Sequence, residues 1–70
     1  MDISLSLDVG LSAWCFKERK HYVVRCVDGE RCVENFYSRE ADAKRAFLER
    51  CNHIWRLFNL REVMGVGESL

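Results

Sequence analysis

The chain has 70 residues, of which 49% are hydrophobic and 31% charged, and its formal net charge is zero. This length fits one small domain, and the hydrophobic fraction argues against an intrinsically disordered chain. Dedicated nucleic-acid-binding proteins are usually strongly basic, so the balanced charge disfavours that class. A domain of this size buries only about 60% of its unfolded surface, and a second chain, a metal or disulfides commonly add stability.

The N-terminal segment is not typical of a secretory signal peptide. Asp2 stands where a cationic region is expected, and no continuous apolar run follows it. Nor does any apolar run approach the roughly 20 residues of a membrane-spanning helix. We therefore predict a cytoplasmic protein with no membrane partner. Thiols stay reduced in the cytoplasm, so the four cysteines are interpreted as small hydrophobic side chains.

Alternating polar and apolar residues predict the first two strands. The alternation begins at Ile3 and is typical of a strand with one buried face, which places the first strand at about residues 2–9. Gly10 predicts a turn, because one strand through the whole alternating run would be unusually long. The second strand is expected at about residues 11–17. Its segment AWCF is apolar on both faces, so one face needs a covering element or a partner.

A hairpin is predicted in the middle of the chain. Residues 21–27 are rich in β-branched side chains, and residues 31–37 have similar strand-like composition. Between them lies Asp28-Gly29, a dipeptide typical of short hairpin loops because both positions tolerate positive φ. The third and fourth strands are therefore expected to turn at Asp28-Gly29.

A long helix is predicted at about residues 39–60, followed by a tail at 61–70. Ser38 has the character of an N-cap residue, and Glu40 and Lys44 have the spacing of a favourable ion pair. At 100° per residue, the apolar positions form one broad stripe. The predicted core stripe consists of Ala43, Ala46, Phe47, Cys51, Ile54, Leu57 and Phe58.

The predicted fold is α+β, an antiparallel sheet of about four strands packed on one long C-terminal helix. One helix covers one sheet face, yet apolar residues occupy both faces and a second helix flank at Leu48 and Trp55. Such surplus apolar area marks an interface, unless the terminal segments fold back over it. Aromatic residues are the usual anchors of interfaces. The candidate partner-binding residues are Trp14, Phe16, Tyr22, Tyr37 and Trp55.

The cysteine and histidine residues do not follow the spacing of a metal site. Cys26 and Cys32 flank the hairpin loop, but there is no C-x2-C pair, and Cys51 and His53 point about 200° apart on a helix. A catalytic nucleophile needs an oriented base, and His21 and His53 belong to no motif that supplies one. The sequence therefore predicts no enzymatic activity, no metal and no cofactor.

The segment HYVVRCVDGERCVENFYSREADAKRAF resembles sheet-plus-helix DNA-binding domains of the plant AP2 and integrase arm-binding types, over residues 13–51. In those families the exposed sheet face reads the major groove. The resemblance implies DNA contacts from Arg19, Lys20, Arg25 and Arg31. Acidic residues interrupt this basic face and repel the phosphates that dominate DNA affinity, so DNA binding is the alternative interpretation.

In length, neutral charge and strand-rich architecture with one helix, the chain is also similar to the small inhibitors that bacteriophages encode, anti-CRISPR proteins among them. That resemblance implies a small regulator or inhibitor of the host-takeover type. We therefore predict a non-enzymatic protein whose partner is another protein, bound through an exposed apolar sheet face or helix flank. A homodimer is a further expectation.

Overall fold

The computed structural model of the chain describes residues 2–8 and 10–69, with residues 62–69 described by their backbone alone. Four antiparallel strands form one open sheet in the order β1-β2-β3-β4, and a helix follows. The predicted α+β fold is confirmed. The elements are β1 (Asp2–Asp8), β2 (Leu11–Glu18), β3 (His21–Asp28), β4 (Arg31–Tyr37) and α1 (Glu40–Ser69).

The end of the helix differs from the expected boundary. Helix α1 continues to Ser69, past the predicted end near residue 60, so the predicted tail at 61–70 is helical over most of its length. The chain has no proline to stop the helix, and a glycine inside a helix costs only about 1 kcal/mol relative to alanine. Val9, which was placed at the end of the first strand, lies outside the described residues.

The loop between β3 and β4 consists of Gly29 and Glu30, one residue later than the predicted Asp28-Gly29. Asp28 is the last residue of β3 and pairs with Arg31 across the ladder. Gly29 has a φ of 65°, and positive φ at the first position of a two-residue loop is typical of a type II′ turn. Glycine is therefore needed at one loop position, and Asp28 is free to remain in the strand.

Gly29→Val is expected to destabilise the protein by about 1–2 kcal/mol, because a side chain in the left-handed region clashes with the following carbonyl. A Cβ at Gly29 would meet no other atom within 4 Å, so the cost comes from the backbone conformation alone. The free energy of unfolding from urea titrations measures it. Glu30→Val is the matched control and should cost less, and an unchanged value for Gly29→Val would contradict the turn assignment.

The helix begins one residue later than expected. The Ala43 amide donates a hydrogen bond of 3.1 Å to the Arg39 carbonyl. Arg39 therefore supplies the first acceptor of the helix and occupies the N-cap position that the sequence analysis gave to Ser38. The predicted ion pair in the first turns is confirmed, with 3.1 Å between Lys44 Nζ and Glu40 Oε1.

The core lies between one sheet face and α1. All residues of the predicted helix stripe are buried in this core or pack against its margin. The helix lies mainly over the two central strands, β2 and β3, so the apolar residues of β1 are only half-covered. The buried side chains of the core are Leu11, Ala13, Cys15, Val24, Cys26, Ala43, Phe47 and Ile54.

Two polar contacts fix the direction of the helix along the sheet. Arg50 Nη2 donates to Asn35 Oδ1 at 3.2 Å, and His53 Nε2 lies 2.8 Å from Asp28 Oδ2. Asn35 pairs with Val24 in the ladder. As the helix advances from Arg50 to His53, its partners therefore advance along β3 from the level of Val24 to that of Asp28, and α1 runs in the same direction as β3.

Candidate protein-binding surface

The sheet face opposite α1 has no covering element within the described part of the chain. Cross-strand pairing places Phe16, Val23 and Phe36 in one row, and Trp14, Arg25 and Glu34 in the next. These rows point away from the helix because their strand neighbours, such as Cys15 and Val24, belong to the core. We call this surface the open face, and its residues are Ser4, Trp14, Phe16, His21, Val23, Arg25, Glu34 and Phe36.

The centre of the open face is already shielded from water. Val23 is 0% exposed although no helix lies above it. Its cross-strand neighbours are Phe16 on β2 and Phe36 on β4, and their rings shield it. Phe36 itself is 60% exposed, and Trp14 beside this row is also exposed. The open face therefore presents aromatic rings to solvent around a buried valine.

Charged groups on the open face are balanced locally. Arg25 Nη2 lies 2.6 Å from Glu34 Oε2, and Arg25 Nε donates to the same oxygen at 2.7 Å. The Arg25 guanidinium also lies 5.5 Å from the centroid of the Phe16 ring, within cation–π range. On the other side of the aromatic row, His21 meets Phe36 edge to face at 5.3 Å between centroids. The side chains that border the rings are thus held in defined positions without an excess of positive charge.

The five predicted partner-binding residues do not form one surface. Trp14 and Phe16 lie together on the open face. Tyr22 and Tyr37 pair with each other on the helix side, where both are half-buried against the core. Trp55 lies on the helix, 50% exposed and stacked on Phe58 with 5.6 Å between ring centroids. A single flat partner surface can reach only the first pair.

The four basic residues selected by the DNA-binding resemblance are also dispersed. Arg19 and Lys20 form the loop between β2 and β3. Arg31 pairs with Asp28, whose carboxylate bonds to the helix, so Arg31 lies on the helix side of the sheet. Arg25 lies on the open face, where Glu34 neutralises it. The four basic side chains therefore do not form one continuous basic surface.

Phe36 is the open-face residue that the sequence analysis missed. In an antiparallel hairpin, the numbers of paired residues have a constant sum, so a two-residue loop that pairs Asp28 with Arg31 also pairs Val23 with Phe36. In the hairpin of β2 and β3, Glu18 pairs with His21, and the same constant sum pairs Phe16 with Val23. A two-residue loop at Asp28-Gly29 would pair Phe36 with His21 instead, on the same face, so alternation along β4 is the signal that could have identified Phe36.

Three of the four cysteines have the properties of residues that fill the core. All four are free thiols, and Cys32 is exposed. Burial raises the pKa of the Cys15, Cys26 and Cys51 thiols above the ordinary value, because a low-dielectric surrounding disfavours the thiolate. A thiol with a raised pKa is a weak nucleophile at neutral pH. These three side chains are therefore suited to filling the core.

No metal-binding or membrane-spanning arrangement is present in the described part of the chain. Among its His, Cys, Asp and Glu side chains, no three are grouped so that they would hold a metal ion. The helical residues it covers contain no segment that combines the length and apolar character needed to cross a bilayer. The open face presents exposed aromatic rings bordered by the ion pair of Arg25 and Glu34.

Comparisons with known proteins assign no function to this surface. The chain matches no protein-family model, no curated protein and no solved structure. The resemblances to sheet-plus-helix DNA-binding domains and to phage-encoded inhibitors therefore stay predictions.

Proposed function

We propose that the protein is a small non-enzymatic regulator or inhibitor that binds another protein through the open face. The observation that carries this proposal is the aromatic row of the open face, in which Phe36 is 60% exposed at one end and the exposed ring of Trp14 lies next to Phe16 at the other. Soluble proteins rarely leave adjoining aromatic rings in water unless a partner covers them. Aromatic residues also supply most of the binding energy at protein interfaces.

The dry centre of the open face supports protein binding. Val23 is fully covered between Phe16 and Phe36, so it supports the two rings from below, and the rings are the side chains that a partner would contact. Arg25 and Glu34 hold each other at the border. A partner therefore meets a preorganised surface and loses little side-chain entropy on binding.

The size of the open face constrains its partner. Four strands spaced by about 4.8 Å, with eight residues rising about 3.3 Å each, cover roughly 500 Å². A standard interface buries about 800 Å² on each partner. That figure counts accessible surface, which exceeds the flat footprint when side chains stand on a sheet, so the open face is of the size that an interface needs.

The DNA-binding alternative has less support. Arg25 is the one member of its four candidate residues that lies on the open face, and it is paired with Glu34. Binding to phosphates would require several unpaired cations in register with the backbone of the duplex. The exposed rings are suited to an apolar protein surface rather than to the polar edges of bases in a groove.

Capture from lysate with immobilised protein tests the proposal when variants are compared with the wild type. Phe36→Glu places a charge in the aromatic row and Trp14→Glu places one beside it, so we expect each to reduce the amount of captured protein at least tenfold while its melting temperature changes by no more than a few degrees. Arg56→Glu lies on the solvent side of the helix and serves as the control that should retain capture.

Two outcomes would contradict this proposal. One is capture that Trp14→Glu and Phe36→Glu leave unchanged, because the bound protein would then use another surface. The other is binding of the wild type to duplex DNA whose affinity falls steeply with salt and is weakened by Arg25→Ala, which would favour the DNA-binding alternative. An apolar protein interface should change little over the same salt range.

A further inference from the structure

A second apolar surface lies at the β1 edge of the sheet, separate from the open face. Strand β1 pairs with β2 on one side and, among the residues that the structure describes, with no strand on the other. Its sequence, DISLSLD, has no Lys, Arg or Pro and carries charge only at its two ends, Asp2 and Asp8. The register irregularity between Ser6 and Asp8 leaves residues 2–6 as a regular edge that another chain can extend. Ile3, on the helix side of this strand, is exposed because α1 lies mainly over β2 and β3.

The flank of α1 that faces this edge is apolar. Arg50 and His53 form the polar contacts of the helix with β4 and the end of β3. At 100° per residue, Leu48 and Trp55 lie about 140–160° around the helix from these two residues. They therefore face the β1 side, where both are exposed and Trp55 stacks on Phe58 with an interplanar angle of 7°.

The β1 strand is complementary to a second copy of itself. A two-fold axis through Leu5 pairs two β1 strands antiparallel and sets Ile3 opposite Leu7 of the second copy. It also sets Ser4 opposite Ser6, so apolar residues meet apolar residues and serines meet serines. The register of β1 shifts between Ser6 and Asp8, so the paired stretch is confined to residues 3–7 and forms about four to six backbone hydrogen bonds.

The helix flank has the same symmetry. Leu5 is level with Ala13 and Cys26 in the ladder. That level lies between the contact of Arg50 at Asn35 and the contact of His53 at Asp28, so it corresponds to residues 51–52 of the helix. Leu48 and Trp55 are equally distant from this point, one on each side. An axis through Leu5 therefore sets Leu48 opposite Trp55 of the second copy.

We propose that two copies of the chain associate at the β1 edge, with their β1 strands paired antiparallel about Leu5 and Leu48 of each helix facing Trp55 of the other. The result is one eight-stranded sheet with both helices on the same side. If each helix lies midway between β2 and β3, the two axes are about 19 Å apart. A separation of this size is bridged by large side chains such as Trp55. Both open faces remain accessible on the opposite side.

The zero net charge of the chain favours a second copy as the partner at the β1 edge. The chain has no formal net charge, so two copies do not repel each other at long range. At the ends of the paired strands, Asp2 pairs with Phe16 on the open-face side, whereas Asp8 pairs with Leu11 on the helix side, so Asp2 and Asp8 of the second copy lie on opposite faces. Arg61 Nη1 also lies 3.7 Å from Asp8 Oδ2 in each chain, which offsets the charge of the Asp8 carboxylate.

Molar mass in solution tests this proposal. Light scattering or sedimentation equilibrium of the full chain should give twice the monomer mass. Trp55→Glu should halve that mass without loss of helical circular dichroism, because it places a charge opposite Leu48. Arg56→Glu, on the solvent side of the helix, adds at least as much negative charge and should remain a dimer. Trp14→Glu, on the open face, should also remain a dimer.

The register is tested by disulfide trapping in a Cys32→Ser background. Leu5 lies on the axis, so Leu5→Cys should form a disulfide with its own copy on oxidation, whereas Ile3→Cys should not. A wild type that stays monomeric at about 100 μM, well above the dissociation constants of most specific complexes, would overturn the proposal. So would a dimer that persists in Trp55→Glu, or one that Trp14→Glu dissociates. Trapping by Ile3→Cys but not by Leu5→Cys would overturn the register.

Discussion

Phe47→Ala is expected to unfold most of the protein. Phe47 is buried at the centre of the interface between α1 and the sheet, and truncation of a core phenylalanine to alanine costs roughly 3–5 kcal/mol through lost transfer energy and the cavity left behind. A domain of this size rarely has more than about 3–5 kcal/mol of net stability. The single substitution therefore removes most or all of the stability of the fold.

Far-ultraviolet circular dichroism and urea titration measure this effect. Arg45→Ala is the matched control, since Arg45 lies on the solvent side of the same helix, and substitutions at such positions usually change stability by less than about 0.5 kcal/mol. A folded Phe47→Ala together with an unfolded Arg45→Ala would show that the helix is rotated relative to the sheet.

Ile54→Ala is the second large effect and should cost about 2–5 kcal/mol. Ile54 is 0% exposed and packs in the same cluster as Leu11 and Cys26. Leu60→Ala is its control, because Leu60 is 58% exposed on the same helix and removes a similar number of carbon atoms. We expect the control to change the free energy of unfolding by less than about 0.5 kcal/mol.

Both measurements require one fixed protein concentration, because association of folded chains adds to apparent stability by mass action. Equal losses for Ile54→Ala and Leu60→Ala would mean that Leu60 is covered in solution to the same extent as Ile54. That result would contradict the exposure of Leu60 in the single chain.

Residue periodicity was sufficient to predict the helix orientation. The apolar positions of α1 follow a 3.6-residue repeat, and each residue assigned to the core stripe packs in the core or at its margin. Leu48 and Trp55, assigned to a second flank, are exposed. Prediction succeeded here because the direction of a helical side chain depends on local geometry alone.

Positions that depend on tertiary contacts were not predictable in the same way. Alternation assigns Tyr22 and Trp14 to opposite faces, but it does not say which face receives the helix. That choice is set by the packing of α1 on Ala13, Cys15 and Val24, which involves residues far apart in the sequence. The loop at Gly29 was misplaced for another reason: Asp-Gly and Gly-Glu both suit a short loop, and only the ladder pairing distinguishes them.

The consecutive order of the strands has a consequence for how the chain folds. Each strand pairs with its neighbour in the sequence, so the entropy of closing each hairpin is small and individual hairpins form within about 1–10 μs. The chain has no proline, and the slow isomerisation that delays many small proteins for tens of seconds has no site at which to occur. The longest loop is closed when α1 docks over β1 and β2. We therefore expect folding of the single chain after dilution from denaturant to be one rapid phase, limited by docking of the helix onto the sheet, with any association of two copies following as a separate, concentration-dependent step.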